Sequence, residues 1–411
     1  MSHKSPLALT SVAITLAMVV SSSDAQTPPA EANWQAGVVL DLASSSRGLE
    51  LGTRDRGLGL GHSDLLLRGV VNEHLSGEAI VGFHSEDQKL EKHLENAWVQ
   101  TRSLPQGLQA RVGRFASQIG YLNELHPHND DFTERPLLHR GFLGGHWIDD
   151  GVRLNWTAPT PFYLRLGAEM FSGKKLVLHA TPDSTSRVTA FNMKLGNDIS
   201  PSSSWQWGLS HVNNQREAEV EVHDPSIDVQ HHSHAASFSG KRMWISDLVW
   251  KWAPDGNNRH QQLRLNWEYA QVSGINRYAD HAMRHRASSL GTVWRFNPAW
   301  ELGVRTDWLE VYKAENHSGD IEFGQGRIKE NAIMVAHKPT HRQTLRLQLT
   351  QQRASGVNDA GEAIFANPAR RSIQLQYVIG IGAHGAHAYE GPGGPQPGHH
   401  VPGTGYHHIC L

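Results

Sequence analysis

Gly107-Leu-Gln-Ala-Arg-Val-Gly-Arg-Phe115 and Asp149-Asp-Gly-Val-Arg-Leu-Asn-Trp-Thr157 decide the reading of this chain. In the first, Leu108, Ala110 and Val112 alternate with Gln109, Arg111 and Gly113. In the second, Val152, Leu154 and Trp156 alternate with Gly151, Arg153 and Asn155. Successive strand side chains point to opposite faces, so each segment reads as a strand with one apolar and one polar face. Between them, residues 116–148 form a long connection carrying His126, His128, Asp130, Asp131, His139 and His146. Connections of that length in a packed fold are functional or disordered. Placed between two alternating strands, this one predicts a binding site or a constriction.

The same alternation recurs outward in both directions. Leu164, Leu166, Ala168 and Met170 oppose Arg165, Gly167 and Glu169; Leu263, Leu265 and Trp267 oppose Arg264, Asn266 and Glu268. Leu302, Val304 and Trp308 oppose Glu301, Arg305 and Asp307, and Leu345, Leu347 and Leu349 oppose Arg346 and Gln348. The segments run about 9–13 residues, the length of a tilted membrane strand rather than a soluble one. Short connections (near 72–74, 103–106, 158–160, 197–202, 254–258, 297–299 and 339–340) interleave with long ones (44–57, 85–91, 116–148, 172–186, 212–242, 272–285, 313–327 and 354–371). The pattern predicts an all-β chain: a transmembrane antiparallel β-barrel of about 16 strands over residues 34–389, with short periplasmic turns and long extracellular loops. The 13 tryptophans fall in or beside these strands, as aromatic girdles would.

The flanks read differently. Lys4, an apolar run over 6–20 and Ser23-Asp24-Ala25 predict a signal peptide over residues 1–25, then a polar leader over 26–33. Residues 390–411 are rich in Pro, Gly and His, which excludes a strand and predicts a disordered tail. A formal charge of −2 and a pI near 7.0 give no basic field for nucleic acid. The single cysteine, Cys410, excludes an internal disulfide framework.

Two sets of candidate site residues follow. Arg111, Arg153, Arg165, Glu169, Arg264, Glu268, Glu301, Arg305, Asp307 and Arg346 occupy the polar face and should line the pore, setting a transverse field or pairing across strands. His126, His128 and Asp130 are two apart, so in an extended chain they face one way, and His139 or His146 could complete a zinc site. His231, His232 and His234 form a second cluster. The 27 histidines are spread through the whole chain, which also fits solvated loop residues. There is no Walker loop, zinc-hydrolase helix motif or nucleophile elbow, so no enzyme is expected.

The run Gly113-Arg-Phe-Ala-Ser-Gln-Ile-Gly-Tyr-Leu-Asn-Glu-Leu-His-Pro-His128, with Asp149-Asp-Gly-Val-Arg-Leu154, resembles phosphate-selective-type porins. Within them it is most similar to a His-rich, zinc-linked group of proteobacterial outer-membrane proteins. The resemblance spans residues 34–389 and implies a bacterial outer-membrane location, with residues 116–148 folded inward as the third extracellular loop. Lysine is sparse on the polar faces, so the family's anion-binding lysine ladder does not map onto this chain. The leading expectation is a passive channel for small hydrophilic solutes or ions that needs no cofactor. The alternative is a zinc-binding receptor or metal-uptake barrel using loop histidines. Expected partners are outer-membrane lipid, the barrel-insertion machinery and, by analogy with porins, two further copies in a homotrimer.

Overall fold

The computed structural model describes residues 34–86, 89–177, 187–216, 235–317, 320–358, 361–366 and 369–382. The expected signal peptide, leader and tail, and His231, His232 and His234, lie outside these residues, as does the stretch 383–389 that closes the expected barrel. The strands are β1 (Trp34–Ser45), β2 (Gly57–Leu60), β3 (Ser63–Val70), β4 (Leu75–Glu86), β5 (Lys89–Thr101), β6 (Leu108–Ala116), β7 (Ile148–Thr157), β8 (Tyr163–Phe171) and β9 (Val188–Ser200). They continue as β10 (Ser203–Asn214), β11 (Arg242–Trp252), β12 (Gln262–Ser273), β13 (Arg284–Asn297), β14 (Trp300–His317), β15 (Asp320–Thr340), β16 (Gln343–Ser355) and β17 (Ala369–Gly382). Apart from β2 and β3, each pairs antiparallel with the next, and β1 pairs with β17, closing the sheet into a barrel. β2 and β3 both pair with β1 and form one stave broken at Gly61–His62, so the barrel has 16 staves. Closure leaves no edge with unpaired amides, the condition for a sheet to cross lipid.

The alternation has the expected sense, turned inside out relative to a soluble protein. Leu345, Leu347 and Leu349 are 42%, 45% and 53% exposed on the outer wall, while Arg346, Gln348 and Thr350 between them are buried inside. Trp34, Trp156, Trp244, Trp252, Trp294 and Trp300 are also exposed outward. The outer face is therefore a lipid-facing apolar belt with aromatic members, the fold of bacterial outer-membrane barrels.

Two connections expected to be long loops are strand. The β4–β5 ladder runs up to Glu86↔Lys89, and the β14–β15 ladder up to His317↔Asp320. A hairpin satisfies its own backbone groups outside the membrane as well as within it, so polar composition alone does not end the ladder.

The lumen face changes character along its height. Up β14 it reads Glu301, Arg305, Asp307 and then Leu309 and Val311; up β12 it reads Arg264 and Glu268, then Ala270 and Val272. β11, β9 and β15 add Ile245, Met243, Val188, Ala190 and Ile328 to the apolar zone. On this side of the barrel the lower lumen is polar and the upper lumen, towards the long-loop end, is apolar.

Candidate functional site: the third loop and a histidine–carboxylate cluster

Residues 117–147, between β6 and β7, fold into the barrel. Their one α-helix, α1 (Leu137–Leu143), is buried at every residue. Leu137, Leu138, Phe142 and Leu143 pack with Trp147, Ile119, Ile245, Leu309, Val311 and Ile328 in one cluster. The apolar upper lumen exists because this helix occupies it. The helix stops at Gly144, whose φ of 61° is left-handed and whose N–H caps the His139 carbonyl.

Below the helix the loop is held by the charges expected to line open water. All ten lie on the lumen side, and nearly all bond to the loop or to one another. Glu169 accepts from Ser117 Oγ at 2.5 Å and the Gln118 N–H at 3.0 Å, and pairs with Arg153 at 2.6 Å. Glu268 accepts the Tyr121 N–H at 2.6 Å and meets His139 Nε2 at 2.7 Å. Arg305 donates to the Glu134 carbonyl and, at 2.8 Å, to Glu330, which also pairs with Arg140 of α1 at 2.6 Å. Arg346 donates to the Asp130 carbonyl at 2.7 Å, Arg165 pairs with Glu124 at 3.1 Å, and Arg264 with Asp131. Asp307 pairs with Arg305, and Glu301 with Arg295 and Lys338. Arg111 instead stacks over Trp98, 3.9 Å from its centroid. Between the loop and the β12–β14 wall remains a cavity of about 40 Å³ lined by Asp131, Phe132, Glu134, Arg264 and Arg305. A ligand pocket typically measures about 300–1,000 Å³.

The expected metal set is rearranged. His126 and His128 do come together, with rings stacked at 5.5 Å, but on a 3₁₀ turn (Pro127–Asn129) rather than an extended segment. Pro127 starts that turn, so the two-residue spacing does not carry Asp130 along. Asp130 instead forms a bidentate pair with Arg135, at 2.8 and 3.2 Å, and His139 belongs to Glu268. His146 Nε2 donates to the Asn123 carbonyl at 2.7 Å, leaving a buried Nδ1 with no hydrogen bond. Its ring lies 5.7 Å from that of His126.

What joins His126 and His128 is the barrel wall. One ligand atom each from His62, Asp64, His126 and His128 lies within 4.8 Å of the others. Asp64 oxygens stand 3.0 Å from His128 Nδ1, 3.4 Å from His126 Nδ1 and 3.4 Å from His62 Nε2. Donors about 3.3 Å apart are what a tetrahedral ion with about 2.0 Å bonds requires. Three imidazoles and a carboxylate suit a borderline divalent ion. The Asp64 carboxylate is 2% exposed, and its two oxygens face these imidazole nitrogens rather than water. Burial alone would lower the His126 pKa; Asp64 and Glu95 beside it reverse the sign and hold it well above the ordinary value. Burial, helped by Arg135 and His126, pushes His146 well below that value.

Two backbone irregularities build the wall side. Opposite Leu40 and Asp41 of β1 stand three residues, Gly61, His62 and Ser63, and the extra one breaks the β2–β3 stave. Gly61 makes room there: a Cβ would press on the Asp41 carboxylate and the Arg54 guanidinium. In β5 the register shifts at Glu95, which faces the lumen with its neighbour Asn96, both buried. Bulges commonly re-aim side chains in this way. Glu95 then reaches His93 at 2.8 Å, His62 at 3.0 Å and His126 at 3.3 Å. The sequence reading missed His62, Asp64, His93 and Glu95. The two-residue spacings His62/Asp64 and His93/Glu95 were visible signals; the bulge and the break were not.

No protein-family model matches the chain. An uncharacterized protein of Aquifex aeolicus (strain VF5) is 28% identical over 357 residues, covering 81% of this chain and 70% of that one. Among solved structures, Pseudomonas putida OprB superposes with a TM-score of 0.53 at 12% identity, over 85% of this chain and 94% of that one. An anion-selective porin from Comamonas acidovorans gives 0.52 at 12%, over 85% and 99%. The trimer form of Vibrio cholerae OmpT, an outer membrane protein, gives 0.50 at 11%, over 85% and 99%. At such identities the likeness establishes the fold: a 16-stave barrel of the kind built by bacterial outer-membrane porins.

Proposed function

We propose that this protein is a non-enzymatic outer-membrane channel for small hydrophilic solutes or ions, held closed at rest by its third loop. The observation that carries this reading is the loop itself. It enters a porin-type lumen, seats an apolar helix in the upper zone and ties to the wall through non-covalent ion pairs that can exchange. A homotrimer is proposed with it, on the likeness to the OmpT trimer form. Phosphate selectivity has no support in the lumen, because the inward arginines are engaged with carboxylates and loop carbonyls. Single-channel recording in planar bilayers tests the reading. The wild type should be mostly closed. Leu138→Asp puts a charge into the helix seat and should lengthen openings severalfold. A correctly folded Leu138→Asp barrel as silent as the wild type would remove the channel reading.

A second reading, a metal-binding or metal-uptake barrel, is favoured by one observation: one donor atom each from His62, Asp64, His126 and His128 lies within 4.8 Å of the others, with the imidazole nitrogens 3.0–3.4 Å from the Asp64 oxygens. Zinc at micromolar concentration should alter conductance or bind the wild type, and should do neither with His126→Ala/His128→Ala.

A further inference from the structure

We propose that the cluster is the inner end of a route for divalent transition-metal ions down one side of the lumen, with His84, His93 and Glu95 as its outer waypoint. The proposal rests on the metal-binding reading and adds to it a direction and a second ligand group. Imidazole rings follow one another without a gap. His84 to His93 is 5.4 Å between centroids, His93 to His62 is 6.4 Å, and His62 to both His126 and His128 is 6.2 Å. His126 to His146 closes the series at 5.7 Å. Side-chain exposure falls inward, from 34% at His93 to 18% at His62, 17% at His126 and 4% at His128.

From His93 to His128 a carboxylate spans each step. Glu95 touches His93, His62 and His126; Asp64 touches His62, His126 and His128. An ion moving inward could therefore exchange one ligand at a time. That matters because a bare dication in a buried site carries a prohibitive desolvation cost. Three neighbouring staves are specialised at this level: β2–β3 is broken, β5 is bulged and β4 offers Gly82. A Cβ on Gly82 would stand 2.7 Å from Glu95 Oε1 and 3.0 Å from His93 Nε2. Both oxygens of the buried Asp64 carboxylate are turned to imidazole nitrogens, from three different histidines, at 3.0–3.4 Å.

The experiment loads the detergent-folded full-length barrel with Co²⁺, read by its visible absorption, with Zn²⁺ as competitor and stopped-flow mixing for the rate. Asp64→Asn, close to isosteric, should weaken equilibrium Co²⁺ affinity by about 100-fold or more. His84→Ala/His93→Ala should leave that affinity within about threefold and slow loading about tenfold. An outer variant that loads at the wild-type rate overturns the route while the inner site stands. An outer variant that loses affinity as Asp64→Asn does makes the two groups one site, which also overturns it. A folded wild type that takes up no Co²⁺ removes the metal reading and the route together.

Discussion

Leu347 and Arg346 are adjacent in β16, and their environments are opposite. Leu347 is 45% exposed on the outer wall, whereas Arg346 is 4% exposed and holds the Asp130 carbonyl. Leu347→Arg should therefore cost about 2–4 kcal/mol at mid-membrane depth. Arg346→Leu should leave the barrel assembled and loosen only the loop. Urea titrations in lipid vesicles, following tryptophan emission, compare the two; equal losses would contradict the register. This much was legible from sequence, because a period of two fixes the face of every side chain once one is known. Asp130 was not legible. Its partner Arg135 is five residues on, and the pairing exists only because Pro127 turns the chain between His126 and Asp130.

The loop illustrates what pattern reading reaches at the scale of elements. Its length and its place between two alternating strands pointed to a constriction, and it does fold inward. Its depth was hidden, because the apolar lumen zone sits on strand ends such as Leu309-Glu310-Val311, where the outward face is already partly apolar and the alternation fades. Phe142, 1% exposed, anchors the helix and stacks near His285. Phe142→Ala should cost the loop about 3–5 kcal/mol while leaving the ladders intact. Limited proteolysis checks this: residues 116–148 should become cleavable while the staves stay protected. Cleavage spread evenly over the chain would mean that the helix supports the barrel itself.

For the whole molecule, closure is achieved by β17, whose ladder with β1 runs from Ser45↔Gln374 to Gly37↔Gly382. Truncation after Tyr389 should consequently leave a chain that folds in lipid to the same heat-modifiable, protease-resistant form. Loss of that form would place an essential contact in residues 390–411. The strand count and outward faces were readable because lipid enforces alternation along every stave. The ligand set on the wall was not, because it depends on one extra residue in each of two staves, and such insertions leave the average pattern unchanged.

The meeting of first and last staves is also crossed from the inside. Asp41 of β1 accepts from Gln376 of β17 and from Arg54, and Arg54 in turn donates to the Thr133 carbonyl. Thr133 reaches on to Gln348 of β16 and Gln374 of β17. The loop thus stitches together the two edges that a barrel would part if it opened sideways. A seam fastened in this way resists parting towards the bilayer, so the loop that fills the lumen also braces its wall.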